Sequence, residues 1–122
     1  MFTCKNIIIL VVYSYLLLKV IKPDDTQNKI LLTGSSGFLG SFIMQEYSNL
    51  TIKGLSRNKS DFNVNLADGI PSFEEFFDMV IHCAGKAHIV PNNEDEKLAF
   101  HQINVMGTKK LLKGLSKFVP KQ

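Results

Sequence analysis

Thr33-Gly34-Ser35-Ser36-Gly37-Phe38-Leu39-Gly40 decides the reading of this chain. The apolar run Ile30-Leu31-Leu32 stands before it, and Leu39, Phe42, Ile43 and Tyr47 continue at helical spacing. The stretch is therefore a strand–turn–helix junction with glycines spaced Gly-x-x-Gly-x-x-Gly. Gly34 suits a tight turn. A missing side chain at Gly37 lets a ligand reach the backbone, and one at Gly40 lets the helix pack closely on the strand. The helix start offers free N–H groups and partial positive charge, a pairing that holds phosphate. Ser35, Ser36, Phe38 and Leu39 complete the turn and the first helical residues, so residues 34–40 as a whole are the candidate phosphate cradle.

Working outward, short apolar runs keep alternating with helical stretches. Thr51-Ile52-Lys53-Gly54-Leu55 reads as a second strand, Val64-Asn65-Leu66 as a short third one, and Met79-Val80-Ile81-His82-Cys83-Ala84 as a fourth closed by Gly85. Ser72 with Glu75 three residues later forms a capping box, predicting a short helix with Phe73, Phe76 and Phe77 on one face. A long helix is expected over residues 94–115, with Leu98, Val105 and Leu112 sharing one side and Leu111 and Leu115 beside them. Strand–helix alternation implies an α/β fold with a parallel sheet. About four strands make an incomplete Rossmann-type doubly wound sheet, whose ligand crevice lies at the C-terminal strand ends. In that setting the glycine triplet is a dinucleotide-binding loop.

The end of the second strand reports which dinucleotide. An acidic residue about 20 positions past the glycines would hold the ribose hydroxyls of NAD. This chain has Ser56-Arg57 there instead. A guanidinium can hold a 2′-phosphate by paired hydrogen bonds, which favours NADP over NAD.

The rest of the sequence bounds the function. With 122 residues and a 45% apolar composition, the chain can form one small domain and has no room for a second, substrate-binding one. Residues 1–28 stand apart from the domain at 29–122. Residues 7–18 are almost continuously apolar, and the run reaches Ile21 by including Lys19, so residues 7–21 read as a membrane anchor or a non-native leader. The polar stretch 23–28 reads as a linker. The expected location is cytoplasmic, with membrane association through residues 7–21 as the alternative. The net charge of +3 comes without any run of five basic residues, so nucleic acid is not an expected partner. Cys4 and Cys83 have no metal or redox spacing, and Cys83 reads as a buried, inert thiol. Of the histidines, His82 is expected to be packed or hydrogen-bonded, His88 lies in the loop where substrate would approach, and His101 falls on a helix surface. No pair is spaced as a metal site.

Together these residues resemble the extended short-chain dehydrogenase/reductase family, which includes the NAD-dependent epimerase/dehydratases of nucleotide sugars. Residues 33–40 match its TGxxGxxG signature. Asn65-Leu66-Ala67-Asp68 is similar to its D-L-x-D stretch, whose first residue contacts the adenine edge; Asn65 here replaces the acid. Residues 78–85 resemble the strand that ends beneath the nicotinamide side, placing Ala84 and Gly85 beside the cofactor. Ala87-His88-Ile89-Val90 resembles a continuation found in bacterial surface-polysaccharide epimerases and reductases, and Asn104-Val105-Met106-Gly107-Thr108 matches the NVxGT helix. The resemblance covers residues 29–118. It implies a dinucleotide cofactor, a nucleotide-sugar substrate, and cofactor contacts from Gly34, Ser35, Ser36, Gly37, Phe38, Leu39, Gly40, Arg57, Asn65, Leu66, Ala84, Gly85 and Asn104.

The family's chemistry also uses a Ser/Thr and a Tyr-x-x-x-Lys pair, in which the lysine lowers the tyrosine pKa for proton transfer during hydride exchange. No such pair lies in the folded part; Tyr15 precedes Lys19 by four, but both belong to the apolar leader. No catalytic residue is assigned, and the chain is expected to be the catalytically incomplete front of an epimerase, dehydratase or reductase. A non-catalytic nucleotide-binding module and a vestigial gene fragment are the alternatives. An unpaired sheet edge and uncovered apolar faces predict poor solubility.

Overall fold

The computed structural model describes residues 28–87 and 90–118. The apolar run 7–21, Cys4 and His88 lie outside the described residues. Four strands, β1 (Lys29–Thr33), β2 (Thr51–Ser56), β3 (Phe62–Asn63) and β4 (Met79–His82), form one sheet in the order β3-β2-β1-β4. Every pairing is parallel, with Leu32 opposite both Gly54 and Ile81. The chain winds outward from β1 through β2 to β3, then crosses to the other side of β1 for β4. That reversal is the switch point at which such sheets bind ligands.

β1 is buried on both faces from Ile30 to Thr33, as a central parallel strand should be. On one face, Leu31 and Leu55 join Leu66, Phe73, Phe77 and Leu111 in the main core. The opposite face carries Ile30, Leu32 and Gly54 by alternation, and helix α1 (Phe38–Glu46) lies over it with Ile43 buried.

The third strand forms two residues earlier than expected. Leu55 pairs with Phe62, and Val64, placed in the strand by its sequence, only donates its N–H to the Ser56 carbonyl at 2.8 Å. The Asp61 carboxylate takes the Gly54 N–H at 2.8 Å, so a side chain stands in for a strand partner there.

The helix predicted from Ser72 and Glu75 does not form, and residues 71–77 have no regular structure. Glu75 does not reach back to cap it; Lys29 and Lys53 hold its carboxylate from β1 and β2. Phe73 and Phe77 are buried through edge-to-face contacts with Phe62 and with each other, at ring-centre distances of 5.1–6.0 Å, while Phe76 stays exposed. A genuine cap occurs at Asn93 instead. Its side chain accepts from Glu96 N at 2.8 Å, and Glu96 accepts from Asn92 N at 2.7 Å, which starts helix α2 (Glu94–Phe100).

The long helix is also broken. A widened π-type turn over His101–Met106 separates α2 from helix α3 (Gly107–Leu115), which ends in the tighter turn Ser116–Phe118. Leu98, Val105 and Leu112, the stripe picked out by periodicity, face solvent. The buried face of α3 carries Gly107, Leu111 and Gly114, so two of its three contact residues have no side chain.

Candidate dinucleotide site

The site grows from the end of β1. Gly34 turns the chain at φ +70°, a left-handed conformation that disfavours any side chain. A Cβ there would also sit 2.7 Å from Ala84 N and 2.8 Å from Cys83 C, so the glycine turn and the loop after β4 touch backbone to backbone. The Gly34 N–H goes to the Leu55 carbonyl at 2.8 Å, tying the turn to β2. A Cβ at Gly40 would come within 2.0 Å of the Gly34 carbonyl oxygen, so the close approach of α1 demands glycine.

Gly37 differs from both. Its φ of −77° suits any residue, and the single internal atom near an added Cβ is the Gly34 oxygen at 3.2 Å. Packing asks less of this position than of Gly34 or Gly40, since the Gly34 oxygen would have to give by only a few tenths of an ångström, and the residue is exposed. Ser36, Gly37 and Phe38 line an open edge at which the N–H groups of Phe38 and Leu39 have no backbone acceptor among the described residues. Phe38 itself is 87% exposed. Ser35 turns inward, with its hydroxyl 2.6 Å from Ser60. Ser60 is 2.7 Å from Ser56, which donates to the Asn58 carbonyl at 2.5 Å. This hydroxyl chain folds the loop after β2 onto the glycine turn. It leaves Arg57 exposed, with no side-chain partner among the described residues, and Lys59 next to it in a left-handed conformation at φ 53°. Sequence reading passed over Lys59, whose place depends on a loop conformation with no motif of its own.

Asn65 lies beyond β3 in a side-chain turn: its Oδ1 accepts from Ala67 N at 3.2 Å, and its Nδ2 donates to Asp68 at 2.5 Å. Leu66 belongs to the core, so a ligand would meet this loop through its backbone. Gln102 at 2.8 Å and Lys110 both donate to the Ala67 carbonyl, fixing the loop to the helices behind it.

On the β4 side of the glycine turn, Ala84 N donates to Thr33 Oγ1 at 3.2 Å. Gly85 leads to Lys86, whose N–H gives a 2.7 Å bond to Asn104 Oδ1 and whose carbonyl accepts from Asn104 Nδ2 at 3.0 Å. Asn104 thus imitates a strand neighbour and clamps the loop. The π-type turn presents it there, and such turns recur at functional sites. His82 is hydrogen-bonded at both nitrogens, 2.5 Å from Thr33 and 2.9 Å from Thr108, and partial burial holds its pKa below the usual imidazole value. Cys83 is partly buried, which pushes its thiol pKa up. His101 is exposed at the start of the π-type turn.

The arrangement is a glycine turn meeting a clamped loop at the switch point of a 3-2-1-4 parallel sheet. The sequence pattern of one family, the NAD dependent epimerase/dehydratase family, matches residues 30–122. The chain belongs to this family. It is 32% identical over 108 residues to a UDP-glucose 4-epimerase of Vibrio cholerae, an alignment covering 74% of this chain and 33% of the relative. The chain thus spans about a third of that epimerase's length. Among solved structures, the protein lin1944 from Listeria innocua matches with a TM-score of 0.57 at 20% identity, over 71% of this chain and 48% of that one, a likeness of fold. Among the described residues, no helix of this family member is long and apolar enough to cross a membrane.

Proposed function

We propose that this chain is the dinucleotide-binding portion of a nucleotide-sugar epimerase-like protein, and that it takes NADP in preference to NAD. The observation carrying the reading is the contrast among the three glycines. The fold requires Gly34 and Gly40 most strictly, while Gly37 is exposed, has ordinary backbone angles and would bring an added Cβ to 3.2 Å from the Gly34 oxygen, a contact that asks for a small local shift. An exposed glycine that the chain needs less strictly than the other two, at the edge of a helix start with free N–H groups, suits a pyrophosphate lying against it. The residues present fit such a group, with N–H donors in the first turn of α1 at the switch point of the sheet.

Arg57 and Lys59 support the choice of NADP. Both cations stand just past the end of β2 without carboxylate partners among the described residues. The nicotinamide ring would accept hydride. The folded part of the chain supplies binding and orientation, and holds no Tyr-x-x-x-Lys pair for proton transfer. Cytoplasmic placement follows the family, and residues 7–21 keep membrane attachment as a further property to test.

Calorimetric titration of the full chain with NADP and NAD tests the reading. NADP is expected to bind more tightly, and Gly37→Val to bind neither. If neither dinucleotide binds the folded wild-type chain, the reading is wrong. Tighter binding of NAD would remove the NADP preference alone.

A further inference from the structure

We propose that His82 is a positioning residue for the dinucleotide site: as the neutral Nε2–H tautomer it joins the end of β1 to α3 and so fixes the loop after β4 against the glycine turn. The inference rests on the dinucleotide reading above, and adds to it the residue that holds the glycine turn and the loop after β4 in register.

The tautomer follows from counting hydrogens. Thr108 Oγ1 lies 2.7 Å from the Asn104 carbonyl, which can only accept, so the threonine donates its one hydroxyl hydrogen there. Toward His82 Nε2, at 2.9 Å, the same oxygen must then accept, which puts a hydrogen on Nε2. A neutral ring keeps a lone pair on Nδ1, and Thr33 Oγ1 donates to it at 2.5 Å. That oxygen in turn accepts the Ala84 N–H. Every hydrogen in the series Ala84, Thr33, His82, Thr108, Asn104 points the same way. The series also closes on itself, because the Asn104 side chain holds Lys86, two residues beyond Ala84.

Protonation breaks this order at one place. With hydrogens on both ring nitrogens, Thr33 Oγ1 must accept twice, and its own hydrogen loses its acceptor. Thr33 is 0% exposed, so water cannot replace what is lost. His82 is exposed to water on one side, but the protein around it supplies no counter-charge for the protonated ring. β1 offers Thr33, α3 offers Thr108, and β4 itself adds only the Cys83 thiol. Lys109 and Lys110 flank Thr108 on α3, His101 and Lys86 lie on the neighbouring turn and loop, and no carboxylate forms an ion pair with His82 among the described residues.

The experiment has two parts, both on the full chain. Long-range 1H–15N correlation spectra give the His82 tautomer directly, and the Nε2–H form is expected at pH 7.5. NAD affinity is then measured between pH 5 and 7.5; NAD avoids the ionisation of a 2′-phosphate in this range. Wild-type affinity is expected to fall about tenfold on acidification. His82→Gln and His82→Asn, which each keep one of the two bonds, are expected to bind several-fold more weakly at pH 7.5 with the acid loss removed. Thr108→Val is expected to weaken binding and Thr108→Ser to restore it. An Nδ1–H tautomer, or an acid loss that persists in His82→Gln, overturns the positioning role and leaves the dinucleotide reading intact. No NAD or NADP binding by folded wild type at any pH overturns both.

Discussion

Thr33 Oγ1 and His82 Nδ1 stand 2.5 Å apart, 49 residues distant in sequence, at the C-terminal ends of adjacent parallel strands. The bond lies just below the point where the chain turns into the glycine loop. It ties a central strand, buried from Ile30 to Thr33, to the edge strand of the described sheet, so its state bears on stability as well as on binding.

Stability is therefore expected to vary with pH through His82. Partial burial lowers its pKa in the folded chain, so the folded state favours the neutral ring. Such a group contributes stability above the unfolded value, near 6.5, that is lost as pH falls through the lower folded value. Urea midpoints of wild type and His82→Gln, compared at pH 7.5 and pH 5, isolate this effect from other titrations. Wild type is expected to lose more of its advantage at pH 5; equal differences at both pH values would contradict the assignment.

Glu75 gives a separate acid-side effect. Hydrogen bonds from Lys53 and then Lys29 hold its carboxyl below the usual carboxylate range. For a lowered acid the stability is present above the unfolded value and disappears as pH falls through the folded one. The cluster is solvent-accessible, so screening limits Glu75→Gln to a loss of about 1 kcal/mol at pH 7. The loss should shrink at high salt and fade as pH falls through the lowered folded value, as read by chemical denaturation.

Arg57 is the test of cofactor choice. Charge-assisted bonds to a phosphate contribute about 1.5–3 kcal/mol, or roughly 10- to 150-fold in affinity. Arg57→Ala is expected to weaken NADP by about that factor while changing NAD little, because Arg57 is exposed and its guanidinium forms no hydrogen bond or ion pair among the described residues. Equal weakening of both dinucleotides would place Arg57 outside the 2′-phosphate site. Lys59→Ala should act in the same direction with a smaller effect.

Sequence and structure agree where a backbone need is local. The tight turn at Gly34, the close approach at Gly40 and the buried β1 run each leave a residue type that is hard to explain otherwise, and strand–helix alternation carries the sheet class. They part where distant groups compete. Ser72 and Glu75 have the spacing of a capping box, but two lysines from neighbouring strands attract the glutamate more strongly. Asn93 and Glu96 have the same spacing with no such competitors, and there the cap forms. The Thr33–His82–Thr108 series was out of reach, because no spacing rule joins residues on three elements. The π-type turn was equally hidden, since periodicity was read as one unbroken helix.

The buried face of α3 shows why periodicity chose the wrong stripe, and it yields a sharp test. Leu98, Val105 and Leu112 recur every seven residues and look like a core face, yet Gly107, Leu111 and Gly114 make the contact. Glycines carry no hydrophobic signal, but they let the helix axis come close: a Cβ at Gly114 would lie 2.5 Å from the Pro71 carbonyl oxygen and 2.9 Å from Pro71 Cγ. Two effects then oppose each other in Gly114→Ala. Helix propensity favours alanine by about 1 kcal/mol. Overpacking against a fixed backbone costs about 1–3 kcal/mol, and Pro71 is buried with little room to retreat. The clash should win, with a net loss of up to about 2 kcal/mol in denaturant unfolding. Leu112→Ala, on the exposed stripe, should change stability by less than about 0.5 kcal/mol. A stabilised Gly114→Ala would mean that α3 docks by a different face, with the leucine stripe as the better candidate for the buried side.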